Sequence, residues 1–302
     1  MFFRSLLVIL PLAGAVTLTA QSEGQRALFR SSLDVVPVAV VVKDANGRLV
    51  TDLDAADFEI LDQGAARPIV QFERGTDNDA RLALLVDSSG SMVFADRRQR
   101  SRLATELLLA GFTDRDAASV FSFDSGIRRL TPFTRDPHVL RTAVMSVEPF
   151  GATSLYDAIV ATVRTIVDDA PRARGVLLVT DGIDTASAVT PQEAASAAAA
   201  VDMPLYVLSV GGSTAEDRVM TAARAAAPMV TLHELATRTG GLAAEAATIA
   251  QLSAATRNIL TELRHQYVLA IHAAETRGWH ELTVRVRRGR VQARSRNGYF
   301  VS

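Results

Sequence analysis

Between residues 81 and 264 the chain alternates short apolar runs with stretches of helical character, and this alternation restricts the fold more than any other feature. Leu82-Ala-Leu-Leu-Val86, Ala118-Ser-Val-Phe-Ser-Phe123, Val176-Leu-Leu-Val179 and Leu205-Tyr-Val-Leu-Ser-Val210 are all strand-length and largely apolar. Such runs belong to strands covered by helices on both faces, because a half-exposed strand would alternate polar and apolar residues. Helical character fills about 97–111, 136–146, 155–167, 191–201, 215–226, 230–238 and 248–264, with a last short strand near 241–244. Strand and helix in turn predict an α/β fold with a doubly wound, mostly parallel sheet.

The flanks read differently. From Leu33 to about Phe72 the pattern is β, and Pro37 within Asp34-Val-Val-Pro-Val-Ala-Val-Val-Val-Lys43 marks an edge strand or a strand start. Asp44-Ala-Asn-Gly47 is a turn signal ahead of Arg48-Leu-Val50. After His265 the β pattern returns in Gln266–Ile271, Glu281–Arg287, Val291–Arg294 and Gly298–Phe300. Each flank is about 40 residues, too short to bury a core of its own with ease. The flanks are therefore expected to pair into one small β-rich domain with the α/β domain inserted between them. The expected boundaries are 32–76 and 265–302 for the flanks and 80–264 for the inserted domain.

Composition removes several functions. The sequence contains no cysteine, which excludes disulfides, thiolate metal sites, cysteine nucleophiles and a lipid-modified cysteine. Its five histidines are scattered without ligand spacing, and a formal net charge of −1 gives no electrostatic reason to expect nucleic acid or an anionic membrane as partner. Arg4 followed by the apolar run Leu6–Ala20 predicts a secretory leader over 1–20, cut after Ala20 and followed by a linker over 21–31. Leu18 departs from the small residue preferred at −3, and Ala13-Gly14-Ala15 offers a second cut. The body is then exported, periplasmic or secreted, with no membrane span after cleavage; an uncleaved leader would anchor it to the membrane.

Directly after the first buried strand comes Asp87-Ser88-Ser89-Gly90-Ser91. In open α/β sheets ligands bind at the carboxyl ends of strands where the winding direction switches. One carboxylate and two hydroxyls leaving such a strand are hard oxygen donors, suited to Mg²⁺, Ca²⁺ or Mn²⁺ and poor for Zn²⁺ or Cu²⁺. Gly151-Ala-Thr153 adds a hydroxyl just before a helix, and Thr180-Asp181-Gly182 adds a carboxylate at the end of the strand 176–179. A serine-rich turn alone is common. Five oxygen donors on three loops at strand and helix mouths are a specific pattern.

With these residues the chain resembles the von Willebrand factor type A domain over about residues 80–264. The resemblance implies that Asp87, Ser89, Ser91, Thr153 and Asp181 form a metal-ion-dependent adhesion site. Asp87, Ser89 and Ser91 would bind the cation directly, Thr153 directly or through water, and Asp181 mostly through water. Val35-Val-Pro-Val38, Asp57-Phe58-Glu59 and Arg294-Ser-Arg-Asn-Gly-Tyr-Phe300 resemble a bacterial, notably acidobacterial, family of exported proteins with this domain.

The expected function is metal-dependent binding of a protein partner, in adhesion or assembly, through one divalent cation, Mg²⁺ first. Two carboxylates leave such a cation electrophilic, so it would attract an Asp or Glu carboxylate of the partner. Catalysis would need a general acid or base beside the metal. No His or Glu lies in the three loops, and Asp157 and Asp184 are the nearby carboxylates, with Asp157 expected to stabilise its helix start. The alternatives are a metal-assisted hydrolase using one of these, and a structural envelope module that binds through its β-domain. Asp52-Leu-Asp54-Ala-Ala-Asp57 lacks the glycine and glutamate of a calcium loop and reads as a turn and helix cap. Arg285, Arg287, Arg288 and Arg290 read as a solvated strand face, and Trp279 as a core or hairpin anchor.

Overall fold

A computed structural model describes residues 35–76, 78–169, 175–211 and 232–301. The expected leader, the linker and the helix at 215–226 lie outside the described residues.

The N-terminal flank supplies β1 (Val35–Asp44), β2 (Phe58–Asp62), β3 (Ala65–Arg67) and β4 (Gln71–Glu73). Pro37 stands at the start of β1, ahead of the Val41–Asp44 stretch that pairs with the C-terminal flank. Arg48–Val50 makes a single isolated bridge, Leu49 to Lys43, where the sequence suggests a strand. Asp44 explains the tight return: its carboxylate accepts from Asn46 N at 2.8 Å and Arg48 N at 2.9 Å. Between β2 and β3 a two-residue turn places Gln63 and Gly64 at φ 51° and 80°, the left-handed pair that matches hairpin twist.

The central region follows in chain order. It comprises β5 (Arg81–Asp87), α1 (Ala95–Ala110), β6 (Ala117–Phe123), β7 (Ile127–Arg129), α2 (Pro137–Met145), α3 (Leu155–Asp169), β8 (Gly175–Thr180), α4 (Pro191–Ala200), β9 (Leu205–Ser209), α5 (Leu232–Arg238), β10 (Ala243–Glu245) and α6 (Ile249–Arg264). Its six strands lie in the order β10-β9-β8-β5-β6-β7. All neighbours are parallel except β7, an antiparallel edge strand not read from the sequence. Side chains alternate between the two faces of a strand, so each β5 residue chooses a layer. Leu82, Leu84 and Val86 pack with Leu108 of α1, Leu140 of α2 and Ile259 of α6. Ala83 and Leu85 pack with Ile159 and Val163 of α3 and Ala194 and Ala198 of α4. Burial of each large aliphatic side chain contributes about 1.5–3 kcal/mol, and this two-sided burial fixes the central sheet.

The chain ends in β11 (Tyr267–His272), β12 (Gly278–Val286), β13 (Val291–Arg294) and β14 (Gly298–Val301). The flanks interleave in two four-stranded sheets, β13-β1-β11-β4 and β14-β12-β2-β3. They share one apolar core around Val40, Phe58, Ile60, Tyr267, Leu269 and Leu282, with the Phe58 and Tyr267 rings 5.1 Å apart. The protein is thus an α/β fold with a doubly wound, mostly parallel sheet and a small β-rich domain built from both flanks.

Two buried charges tie the β-rich part to the α/β layer. Glu262 of α6, 1% exposed, pairs with Lys43 at 2.7 Å and with Arg294. Arg296, 2% exposed, donates to Ala199 O and Ala200 O at the end of α4 and to Pro37 O. Its Nε stands 3.4 Å from Asp202 Oδ1, while Asp202 Oδ2 accepts from Ala39 N at 2.9 Å.

Candidate metal centre

The order β8-β5-β6 sets the location. The chain leaves β5 for β6 on one side, then crosses back to β8 on the other, so the winding reverses between β5 and β8. Loops diverge there at the carboxyl ends of the strands, leaving a crevice suited to a ligand. Asp87 is the last residue of β5, and Asp181 follows Thr180 at the end of β8.

Asp87 is 2% exposed, and its carboxylate is oriented from both sides. Oδ1 accepts from Ser89 N at 2.8 Å and Oδ2 from the Thr180 hydroxyl at 2.5 Å. Burial pushes its pKa from the ordinary 3.8 to about 6, and repulsion from Asp181 adds to the rise, against the lowering effect of Ser89 and Thr180. The two carboxylates are therefore electrostatic neighbours. The hydroxyls of Ser89 and Ser91 stand 3.0 Å apart.

Backbone bonds lace the loops together. Ser88 N and Oγ both donate to Phe123 O at 2.8 Å. Phe150 N donates to Ser88 O at 2.7 Å, and Gly90 N to Gly151 O at 2.9 Å. A Cβ on Gly90 would stand 3.0 Å from that carbonyl, so a side chain there would press the two loops apart by a few tenths of an ångström. Thr153, 3% exposed, accepts at its carbonyl from Thr185 N and Ala186 N, at 2.9 and 3.0 Å, and donates its own N–H to Thr185 Oγ1 at 2.9 Å. The Thr153 hydroxyl has no partner among the described residues. First, second and third loops are thus one bonded unit at the sheet's carboxyl edge.

Asp157 and Asp184 do other work. Asp184 Oδ1 accepts from Leu155 N at 2.9 Å, so it caps α3, and also from Ser187 Oγ at 2.6 Å. Asp157, in the first turn of α3, reaches across to accept from Ala188 N and Val189 N at 3.1 and 2.8 Å. Asp157 lies in the first turn of α3, where its charge suits the helix start, while the cap itself is made by Asp184, because the loop after β8 lies against that end of the helix.

Two further residues brace these carboxylates, in roles the sequence did not reveal. Thr180 steers Asp87. Arg97 in α1 donates from Nη1 to Asp181 Oδ2 at 2.6 Å, with its guanidinium 5.2 Å from the Phe94 ring centroid. The one available signal for Arg97 was its position, since a cation in the first turn of a helix opposes the helix dipole.

Residues 82–183 match the family model described as von Willebrand factor type A domain. That segment is similar to the von Willebrand factor type A domain. The matched segment of that domain contains all five oxygen-donor residues and both of the residues that brace them. No curated protein sequence matches the chain. Among solved structures, the von Willebrand factor type A protein of Catenulispora acidiphila is 15% identical, with 80% of this chain and 72% of that chain covered and a TM-score of 0.49. An aerotolerance-related membrane protein of Bacteroides fragilis is 18% identical over 61% of this chain and 98% of that one, with a TM-score of 0.47. Manganese-loaded Plasmodium vivax TRAP protein is 16% identical over 75% and 96%, with a TM-score of 0.43. Among the described residues no helix is long and apolar enough to cross a membrane, and no group of three or more His, Cys, Asp or Glu gathers in one place.

The donor set fits a hard divalent cation. It offers hydroxyl and carboxylate oxygen and no nitrogen or sulfur, which is the chemistry of Mg²⁺, Ca²⁺ and Mn²⁺. Burial first, and the Asp181 carboxylate second, raise the pKa of Asp87, and a cation beside it would favour its charged form.

Proposed function

We propose that this is an exported protein-binding module in which Asp87, Ser89, Ser91, Thr153 and Asp181 hold one divalent cation, Mg²⁺ first, to capture a carboxylate of a partner protein. The observation that carries this reading is the meeting of the Ser89 and Ser91 hydroxyls, 3.0 Å apart, with the buried Asp87 carboxylate and its neighbour Asp181 at the switch point of the sheet. A bound cation there would keep an open position, because neutral hydroxyls leave most of its charge unspent. The chain's own part is to orient Asp87 through Ser89 N and Thr180, and to hold the three loops in register.

Binding is favoured over hydrolysis by the state of the neighbouring carboxylates. Asp157 and Asp184 already accept backbone N–H groups that fix the loops, which leaves them poorly suited to take a proton from water. Calorimetric titration of Mg²⁺, Ca²⁺ and Mn²⁺ into the wild type and Asp87→Ala, with circular dichroism to check the fold, tests the reading. A binding isotherm in the wild type that disappears in the variant is expected, and equal heats in both proteins would overturn it.

A further inference from the structure

Three of the five most exposed large apolar side chains among the described residues border this same cluster. Val93 and Phe94, 64% and 58% exposed, follow Ser91 and Met92 in the first loop, and Phe150, at 79%, stands two residues before Ala152-Thr153 in the second. Single exposed apolar residues need no explanation, but a group of them beside a ligand-binding crevice marks an interaction surface.

The positions are held, not adventitious. The loops bearing them are bonded through Phe150 N to Ser88 O and Gly90 N to Gly151 O, at 2.7 and 2.9 Å. Arg98 and Glu148 form an ion pair from α1 to the second loop, and Arg102 donates to Met145 O at 3.0 Å. Phe94 rests against the buried Arg97, whose charge is already engaged by Asp181. Aromatic side chains set on a rigid backbone lose little entropy on contact, which is the property of residues that dominate interface energies.

We propose that Val93, Phe94 and Phe150 form an apolar rim around the metal centre, and that its occupant is a segment of a partner protein in which one Asp or Glu is flanked by bulky apolar residues. The proposal rests on the reading of Asp87 and its neighbours as a cation site. Charge complementarity places the single carboxylate at the centre, and the apolar neighbours then fall on the rim. A run of acidic residues would instead bring further carboxylates against phenylalanine, where nothing replaces their lost hydration.

The test uses the full chain saturated with Mg²⁺ and three capped pentapeptides. One has Phe and Leu on either side of a single Asp, one has Ser on both sides of that Asp, and one keeps Phe and Leu but replaces Asp by Asn. The first is expected to bind at least tenfold more tightly than either of the others. In the double variant Val93→Ser/Phe150→Ser the preference over the serine peptide should fall below twofold, while the heat of Mg²⁺ binding is unchanged. Equal affinity for the first two peptides, no binding of any peptide, or a preference retained in the variant would overturn the rim. Absence of Mg²⁺ binding to the wild type would overturn the metal centre instead, and the same peptide comparison without cation would then decide the rim.

Discussion

Arg97 and Asp181 form a largely buried ion pair, Nη1 to Oδ2 at 2.6 Å, in the position where the centre would otherwise present a second free carboxylate. Arg97 thus neutralises part of the negative charge that a divalent cation would use. It also holds Asp181 in place beside Asp87, whose carboxyl is already strained by burial and by that neighbour.

Removing the guanidinium should therefore act in opposite directions on binding and folding. Arg97→Ala is expected to bind Mg²⁺ about 5–20-fold more tightly, equivalent to about 1–2 kcal/mol. The cation-free protein should lose about 2–4 kcal/mol, since Asp181 is left buried without its partner. Calorimetry and thermal unfolding in chelator measure the two; a weaker affinity for Mg²⁺ would show that Arg97 supports the centre and does not compete with the cation.

Asp87 sets a pH dependence. Its folded pKa, about 6, lies above the ordinary 3.8, so between those values the folded state binds more protons than the unfolded state. Stability of the cation-free protein should consequently fall as pH rises through that window, by up to about 3 kcal/mol. Asp87→Asn should remove this component and be the more stable protein at pH 7 in chelator, although it binds no cation. Chemical denaturation of both proteins from pH 4 to 7.5 checks this, and parallel pH profiles would refute it.

Thr180 is fully buried, donates to Asp87 Oδ2 at 2.5 Å and accepts from Gly182 N at 3.0 Å. Thr180→Val keeps the shape and removes both bonds, leaving a carboxylate oxygen and an amide unpaired. A loss of about 1–3 kcal/mol in stability is expected, with cation affinity reduced by about tenfold because Asp87 is no longer oriented. Unchanged affinity in calorimetry would mean that Ser89 N alone positions the ligand.

Arg296 and Asp202 latch the β-rich part to the end of α4. Burial lowers the Arg296 pKa and raises that of Asp202, so the pair is held against its desolvation cost by Pro37 O, Ala199 O, Ala200 O and Ala39 N. Arg296→Ala should destabilise by about 3–5 kcal/mol, as for other broken buried pairs. Melting should separate into two transitions as the two modules uncouple, and a single cooperative transition with unchanged midpoint would sink the latch.

The parallel layer is legible in the chain alone, because Leu82–Val86 and Val176–Val179 have no polar face and must be covered on both sides. The candidate donors Asp87, Ser89, Ser91, Thr153 and Asp181 were legible there too, since loop chemistry at strand ends is local in the chain. What it left undecided depends on groups far apart in sequence. Arg97 meets Asp181 84 positions away, Thr180 meets Asp87 93 away, and Arg296 meets Pro37 259 away. No periodicity encodes such meetings, because a side chain's partner is set by strand order and helix placement. Asp157 and Asp184 show the same limit, as either carboxylate suits a helix start and only the packing of the loop after β8 on α3 decides which one caps it. The β-rich domain is the intermediate case. Each flank revealed its strands by alternation, but the interleaving of β1 with β13 and of β2 with β12 follows from burying one core that neither flank closes alone.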